Sequence, residues 1–409
     1  MPAAAKKPAP KKAAPAKKAA PRRAAAKAPA RRTLKARTVT LLVGTRKGAW
    51  TFTSDATRTR WRQSDPMFLG QIVHHFVLDP RDGETLLAAV RTGHLGPTVF
   101  RSTDGGRTWR EAAAPPRFAK ARDGEKGRSV EHVFWLRPGH ASQPGVWWCG
   151  TSPLGLFRSE DGGQHWEEVR GLASDPRFPE WEKMEAPPGG QILHSIQIDP
   201  RDAAHMYFCM SVGGVFETTD GGASWSYLNK GLMAEYMPDP YPEFGHDPHC
   251  MAMSPADPDI LWQQNHCGIY RIDRKKGEWT RVGRNMPKAV GDIGFPVVLH
   301  PRDEKRAWVF PMDGTDVWPR ISPGGRCAVY HTRDAGKTWQ EQRRGLPSGQ
   351  AWLTVLRTAM CCDHGEPVGL YFGTTGGDIF ASRTEGASWS NIARHLPTVF
   401  SVEVAGCLR

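Results

Sequence analysis

The first 37 residues contain no acidic side chain, yet they carry thirteen Lys or Arg. The rest of the 409-residue chain holds 42 basic and 42 acidic residues, so the formal charge of +13 belongs to one end and says nothing about a ligand of the body. That end, MPAAAKKPAPKKAAPAKKAAPRRAAAKAPARR, also lacks the apolar side chains that would offset the entropy of ordering. Its spaced prolines interrupt any helix. Residues 1–37 are therefore expected to be a disordered basic tail, able to meet a polyanion or nucleic acid nonspecifically by counterion release. No apolar run reaches the roughly 18 residues of a membrane helix, and no secretory apolar segment precedes the body. The expectation is a cytoplasmic protein without a membrane partner; its oligomeric state is left open. Cysteine never occurs as C-x-x-C, which excludes zinc-ribbon and thioredoxin-type motifs. The eight cysteines are expected to be buried or free thiols.

What is present is repetition. RSTDGGRTW ends at Trp109, RSEDGGQHW at Trp166, ETTDGGASW at Trp225 and HTRDAGKTW at Trp339. Degraded copies end at Trp61, Trp279 and Trp389, giving tryptophan spacings of 48, 57, 59, 54, 60 and 50. The pattern Ser/Thr-x-Asp-x-Gly-x-x-Trp resembles the Asp box of BNR-repeat proteins, a family that includes sialidases and many non-catalytic propellers. The resemblance implies an all-β fold, a seven-bladed β-propeller of four-stranded antiparallel blades, over residues 38–409. Within each box, Asp and Gly suit a tight turn between a blade's third and fourth strands. Each blade shows four runs rich in β-branched and aromatic residues; in the second, HHFVLDP, TLLAAV, TVFRST and TWREA. The first blade lacks its inner strand, since TVTLLVGT (Thr38–Thr45) already reads as a second strand. VFSVEVA (Val399–Ala405) supplies the missing one, so the C-terminal strand is expected to close the ring.

Aligned on their trailing turns, four inner strands begin with histidine: His74, His132, His194 and His249, each five residues before the residue preceding a proline. In a propeller those positions approach one mouth of the central channel. Imidazoles so gathered suit a divalent transition metal (Fe, Zn or Cu) at about 2.0–2.2 Å. The ligand type is similar to that of the iron site in carotenoid-cleaving oxygenases, which are also seven-bladed. His94, His246, Asp247, His266, Asp313 and Asp316 gather on the same face. Glu131, His266 and Asp316 are taken as candidates for proton transfer. Inner-strand histidines that simply bond neighbouring backbone are the structural alternative. Long loops at Glu167–Leu193 and Ser226–Pro248, and the insertion Asp313–Cys327, are expected to wall the channel mouth or to pack on the blade rim.

Three function classes follow. First stands a metal-dependent oxygenase or hydrolase acting on a small organic substrate. Second is a non-catalytic scaffold that binds a protein or peptide. Third is a sialidase-type glycoside hydrolase. It ranks last because the Phe/Tyr-Arg-Ile-Pro motif that the resemblance implies is absent, and Arg91, Arg128 and Arg320 form no recognisable trio.

Overall fold

The structure is a computed structural model and describes Met1 and residues 38–405, apart from 122–123, 125–126, 185–189 and 316–319. The basic tail, Met1 aside, and Cys407 lie outside the described residues. The chain divides into two units, Met1–Lys35 and Ala36–Arg409, and the propeller is the second.

Seven four-stranded antiparallel sheets form the blades. Blade 2 runs Ile72–Leu78, Leu86–Thr92, Gly96–Ser102 and Arg110–Glu111 from the axis outward. Blade 1 is completed from the far end of the chain: Val399–Val404 pairs antiparallel with Val39–Thr45. Closure follows from the pattern of that last strand, where Val399, Ser401 and Val402 are buried and Phe400 and Glu403 are half-buried. Among the described residues no helix is long and apolar enough to cross a membrane. Cys149, Cys209, Cys250, Cys267 and Cys327 are buried thiols, and Cys361 and Cys362 are half-buried.

The four intact copies of the turn share one set of Ser/Thr–Asp–Gly bonds. In blade 2, Ser102 Oγ meets Asp104 Oδ1 at 2.8 Å and accepts the Gly106 N–H at 2.9 Å. The Thr108 hydroxyl and N–H, then the Ser102 hydroxyl and the Arg107 N–H, donate to Asp104 and hold its carboxyl well below the usual range. Gly105 and Gly106 hold φ +73° and +86°, a region that favours glycine. Trp109 folds back and donates from Nε1 to the Gly106 carbonyl at 3.1 Å. The same bonds recur at Ser159–Asp161–Gly163, Thr218–Asp220–Gly222 and Thr332–Asp334–Gly336. Their carboxylates are spent on turn N–H groups, so they serve structure.

The two long loops differ in use. The first folds into short helices at Arg170–Ala173 and Phe178–Lys183 and buries Trp181 completely. Trp181 packs edge-on against Phe216 and donates to Tyr227 Oη at 2.8 Å. It is therefore rim packing, not a wall of the mouth. Trp181→Ala is expected to destabilise the fold by about 3–5 kcal/mol, read as a fall in the urea midpoint. The second loop leaves Tyr236 and Tyr241 exposed.

Candidate functional site

Loops from a fourth strand to the next inner strand, and from second to third strands, share one face, called here the upper face. Six inner strands carry one extra residue near their upper end, a β-bulge that re-aims side chains; in blade 1 it is Phe400. The extra residue is His74 in blade 2 and His249 in blade 5. In blade 3 it is Phe134; in blades 4 and 6 it falls within Ser195–Ile196 and Phe295–Pro296. Histidines that are equivalent in sequence therefore stand at different places in the ladder: His74 and His249 are bulged, His132 and His194 are paired.

The four do not converge on one point: His74 and His132 meet each other, and His194 and His249 bond elsewhere. His74 Nε2 lies 2.9 Å from His132 Nδ1, and its ring stacks on Phe400 at 5.2 Å. Burial, then the adjacent His132 and Arg91, push the His74 imidazole down to about 3. His194 uses both nitrogens: Nε2 donates to the Pro248 carbonyl at 3.1 Å, and Nδ1 accepts from Ser195 Oγ at 2.8 Å. Full burial drives its pKa well down, so it is a neutral core histidine. His249 Nδ1 donates to the Gly294 carbonyl at 2.6 Å, which turns Nε2 toward Asp247. Three of the four thus bond the blade that follows, two of them to its backbone carbonyl.

Asp247 is the centre of what does converge. Its Oδ2 lies 3.5 Å from His249 Nε2 and 3.4 Å from His266 Nδ1, and its backbone carbonyl accepts the His266 N–H. Burial alone would raise its carboxyl; His249 and His266, with Arg357 beyond them, reverse that and hold it far below the usual carboxylate range. Asp247, His249 and His266 are the one group among the described residues whose donor atoms lie within 4.8 Å of one another. They are accordingly the one place there with three atoms for a divalent cation. Of the four inner-strand histidines, His249 alone belongs to it. Glu131 is exposed at the top of blade 3, where its N–H bonds the Ser152 carbonyl, while Asp316 lies outside the described residues. The Asp two residues before His249 was visible in GHDPHC; its partnership with His266 was not, because the two meet across a hairpin.

His266 also opens outward. With Glu235, Tyr236, Arg281, Asp292 and Asp313 it lines a cavity of about 560 Å³ on the upper face between blades 5 and 6. Arg281 bridges Glu235 at 2.6 Å and Asp292 at 2.9 Å. Asp313 accepts the Thr315 N–H. Tyr236 meets the His266 ring edge-on at 5.3 Å and leaves one side exposed.

No family model matches the chain. An oligoxyloglucan-reducing end-specific xyloglucanase of Emericella nidulans is 25% identical over 301 residues, which is 66% of this chain and 34% of that protein. The chain thus spans about a third of its relative's length. Among solved structures, the GH74 enzyme of Niastella koreensis superposes with a TM-score of 0.58 at 17% identity, covering 87% of this chain and 52% of that one. The GH74 xyloglucanase of Xanthomonas campestris gives 0.58 at 19%, covering 88% and 53%. The fold is shared with these GH74 enzymes. The metal-dependent oxygenase or hydrolase placed first from the sequence is overturned by these relatives, which are glycoside hydrolases. The class placed last fits them better. The misjudgement came from treating equal sequence offset as equal position in space, which the shifting bulges break.

Proposed function

We propose that the chain acts on oligosaccharides at its upper face, as a glycoside hydrolase related to the xyloglucanases. The observation that carries this reading is the 301-residue alignment to a xyloglucanase. The pocket between blades 5 and 6 fits it in kind. Glycoside hydrolysis uses two carboxyl groups flanking the scissile bond, one to donate a proton and one to act as base or nucleophile. Glu235, Asp292 and Asp313 stand on one cavity beside the exposed ring of Tyr236, which suits the apolar face of a pyranose. Glu235 and Asp292 are tied to Arg281, so Asp313 is assigned to proton donation. The repeated turns are read as Asp boxes of the BNR type, with a scaffolding role only.

Purified full-length protein incubated with xyloglucan oligosaccharides is expected to release shorter products, seen by chromatography. Asp313→Asn is expected to lower that rate by about 100-fold or more, and Tyr236→Ala to raise KM with less effect on kcat. Neither release nor binding of xyloglucan oligosaccharides by the wild type would remove the reading. Binding without release would recast the face as a glycan-docking surface.

A further inference from the structure

The donor atoms gathered at the top of blade 5 are spaced for coordination more than for hydrogen bonding. Asp247 Oδ2 lies 3.5 Å from His249 Nε2 and 3.4 Å from His266 Nδ1. A hydrogen bond from an imidazolium to a carboxylate closes to about 2.7–2.9 Å. An ion that holds four ligands tetrahedrally at about 2.0–2.2 Å sets them about 3.3–3.5 Å apart. The tautomer agrees with the spacing. His249 Nδ1 donates to the Gly294 carbonyl at 2.6 Å, so the neutral ring turns the lone pair of Nε2 onto the carboxylate. Two electron-rich atoms face to face in the interior call for a cation between them. A backbone carbonyl on the far nitrogen is also what fixes the ring of a metal-bound histidine. Asp247 Oδ1 is buried without a hydrogen bond, so no protein donor meets the carboxylate on that side either.

The frame for these ligands is set by one pair of strands. Asp247 and His249 flank Pro248, which pairs with Asn265, the residue before His266. The His266 N–H in turn bonds the Asp247 carbonyl. No blade has to move for the three to share an ion. A bare cation needs only the gap between its donors, not a water-sized hollow. His266 gives it a way in, since its side chain is 13% exposed and lines the cavity between blades 5 and 6. We propose that Asp247, His249 and His266 bind one Zn2+ per chain, with a fourth position left for water. Two imidazoles and a carboxylate at tetrahedral spacing suit zinc; calcium and magnesium, which take six or more oxygens, fit poorly. The ion carries no reaction. It pins the start of the inner strand of blade 5 to the hairpin that holds one wall of the acidic pocket. Glu235, Asp292 and Asp313 are not among its ligands, so the site stands whether or not hydrolysis occurs there.

The test uses full-length protein prepared without a histidine tag, stripped with EDTA, freed of chelator and titrated with zinc sulfate against a chromophoric chelator. One zinc per chain is expected to bind and to raise the melting temperature, because the folded chain alone presents the site. Cobalt(II) in place of zinc is expected to give the intense visible bands of a four-coordinate ion. His266→Ala removes the most open ligand. It is expected to weaken zinc by at least about 100-fold and to melt like the metal-free wild type. Should His266→Ala fail to fold, Asp247→Asn keeps the shape of the site and is expected to show the same loss of zinc. The proposal is overturned if stripped protein takes up no zinc, if zinc leaves the melting temperature unchanged, or if cobalt shows only the weak bands of six-coordination. It is overturned equally if the variants bind zinc like the wild type, which would put the ion on other side chains such as the His74–His132 pair.

Discussion

A chain ending at Thr398 is expected to be largely insoluble, and whatever remains in solution to melt on the order of 10 °C below the full-length protein. Val399 and Val402 are fully buried, and each such side chain is worth roughly 1.5–3 kcal/mol. Their strand supplies the ladder for Leu41–Thr45, so its loss bares the backbone edge of blade 1. It also removes Glu403, whose Oε1 accepts from His75 Nε2 at 3.0 Å, while His75 Nδ1 accepts the Leu136 N–H at 2.9 Å. That chain of bonds ties blade 1 to blade 2 and blade 2 to blade 3. Soluble yield and a thermal melt check the result; a truncated protein that melts like the intact one would show that the ring does not depend on its last strand.

This closure was legible because it rests on two short-range signals. VFSVEVA is strand-like, and the first blade was one strand short. The blade count was legible for a similar reason: Asp, Gly and Trp at fixed spacing make a turn whose bonds lie within seven residues, from Ser102 to Trp109 in blade 2. The site was legible only in part. Histidine at the top of an inner strand is visible in sequence, but the bulge that decides its direction is set by how that strand pairs with its neighbour. The bulge moves from His74 to Phe134 between adjacent blades without any change in spacing. Blade 7 resisted alignment because its inner strand is short, Met360–Cys362, and begins with no histidine.

The seam that the C-terminal strand closes near the axis has a second fastening, and its loss sets the other large effect. Asp363, in the turn after the inner strand of blade 7, is 2% exposed and meets Arg58 of blade 1 at 3.0 Å. Its carboxylate also accepts the Gly365 N–H at 2.8 Å, the Gly369 N–H at 2.7 Å and the Tyr371 hydroxyl at 2.7 Å. Asp363→Ala strands a guanidinium that is itself 9% exposed, together with three other donors, and is expected to cost about 3–5 kcal/mol. Arg58→Ala should cost less, since the carboxylate keeps its three remaining donors. Burial pushes the Asp363 pKa up, but Gly369, Tyr371, Gly365 and Arg58 together bring it below the ordinary value. Because the folded pKa lies below the unfolded one, this contribution is fully present above about pH 4 and disappears as pH falls through the folded value. Urea midpoints at neutral pH should therefore separate wild type from Asp363→Ala widely, and the gap should narrow as the pH drops below about 4. Equal midpoints at neutral pH would mean that blades 7 and 1 are held by their apolar core alone, through residues such as Trp50, Phe52, Tyr371 and Val399.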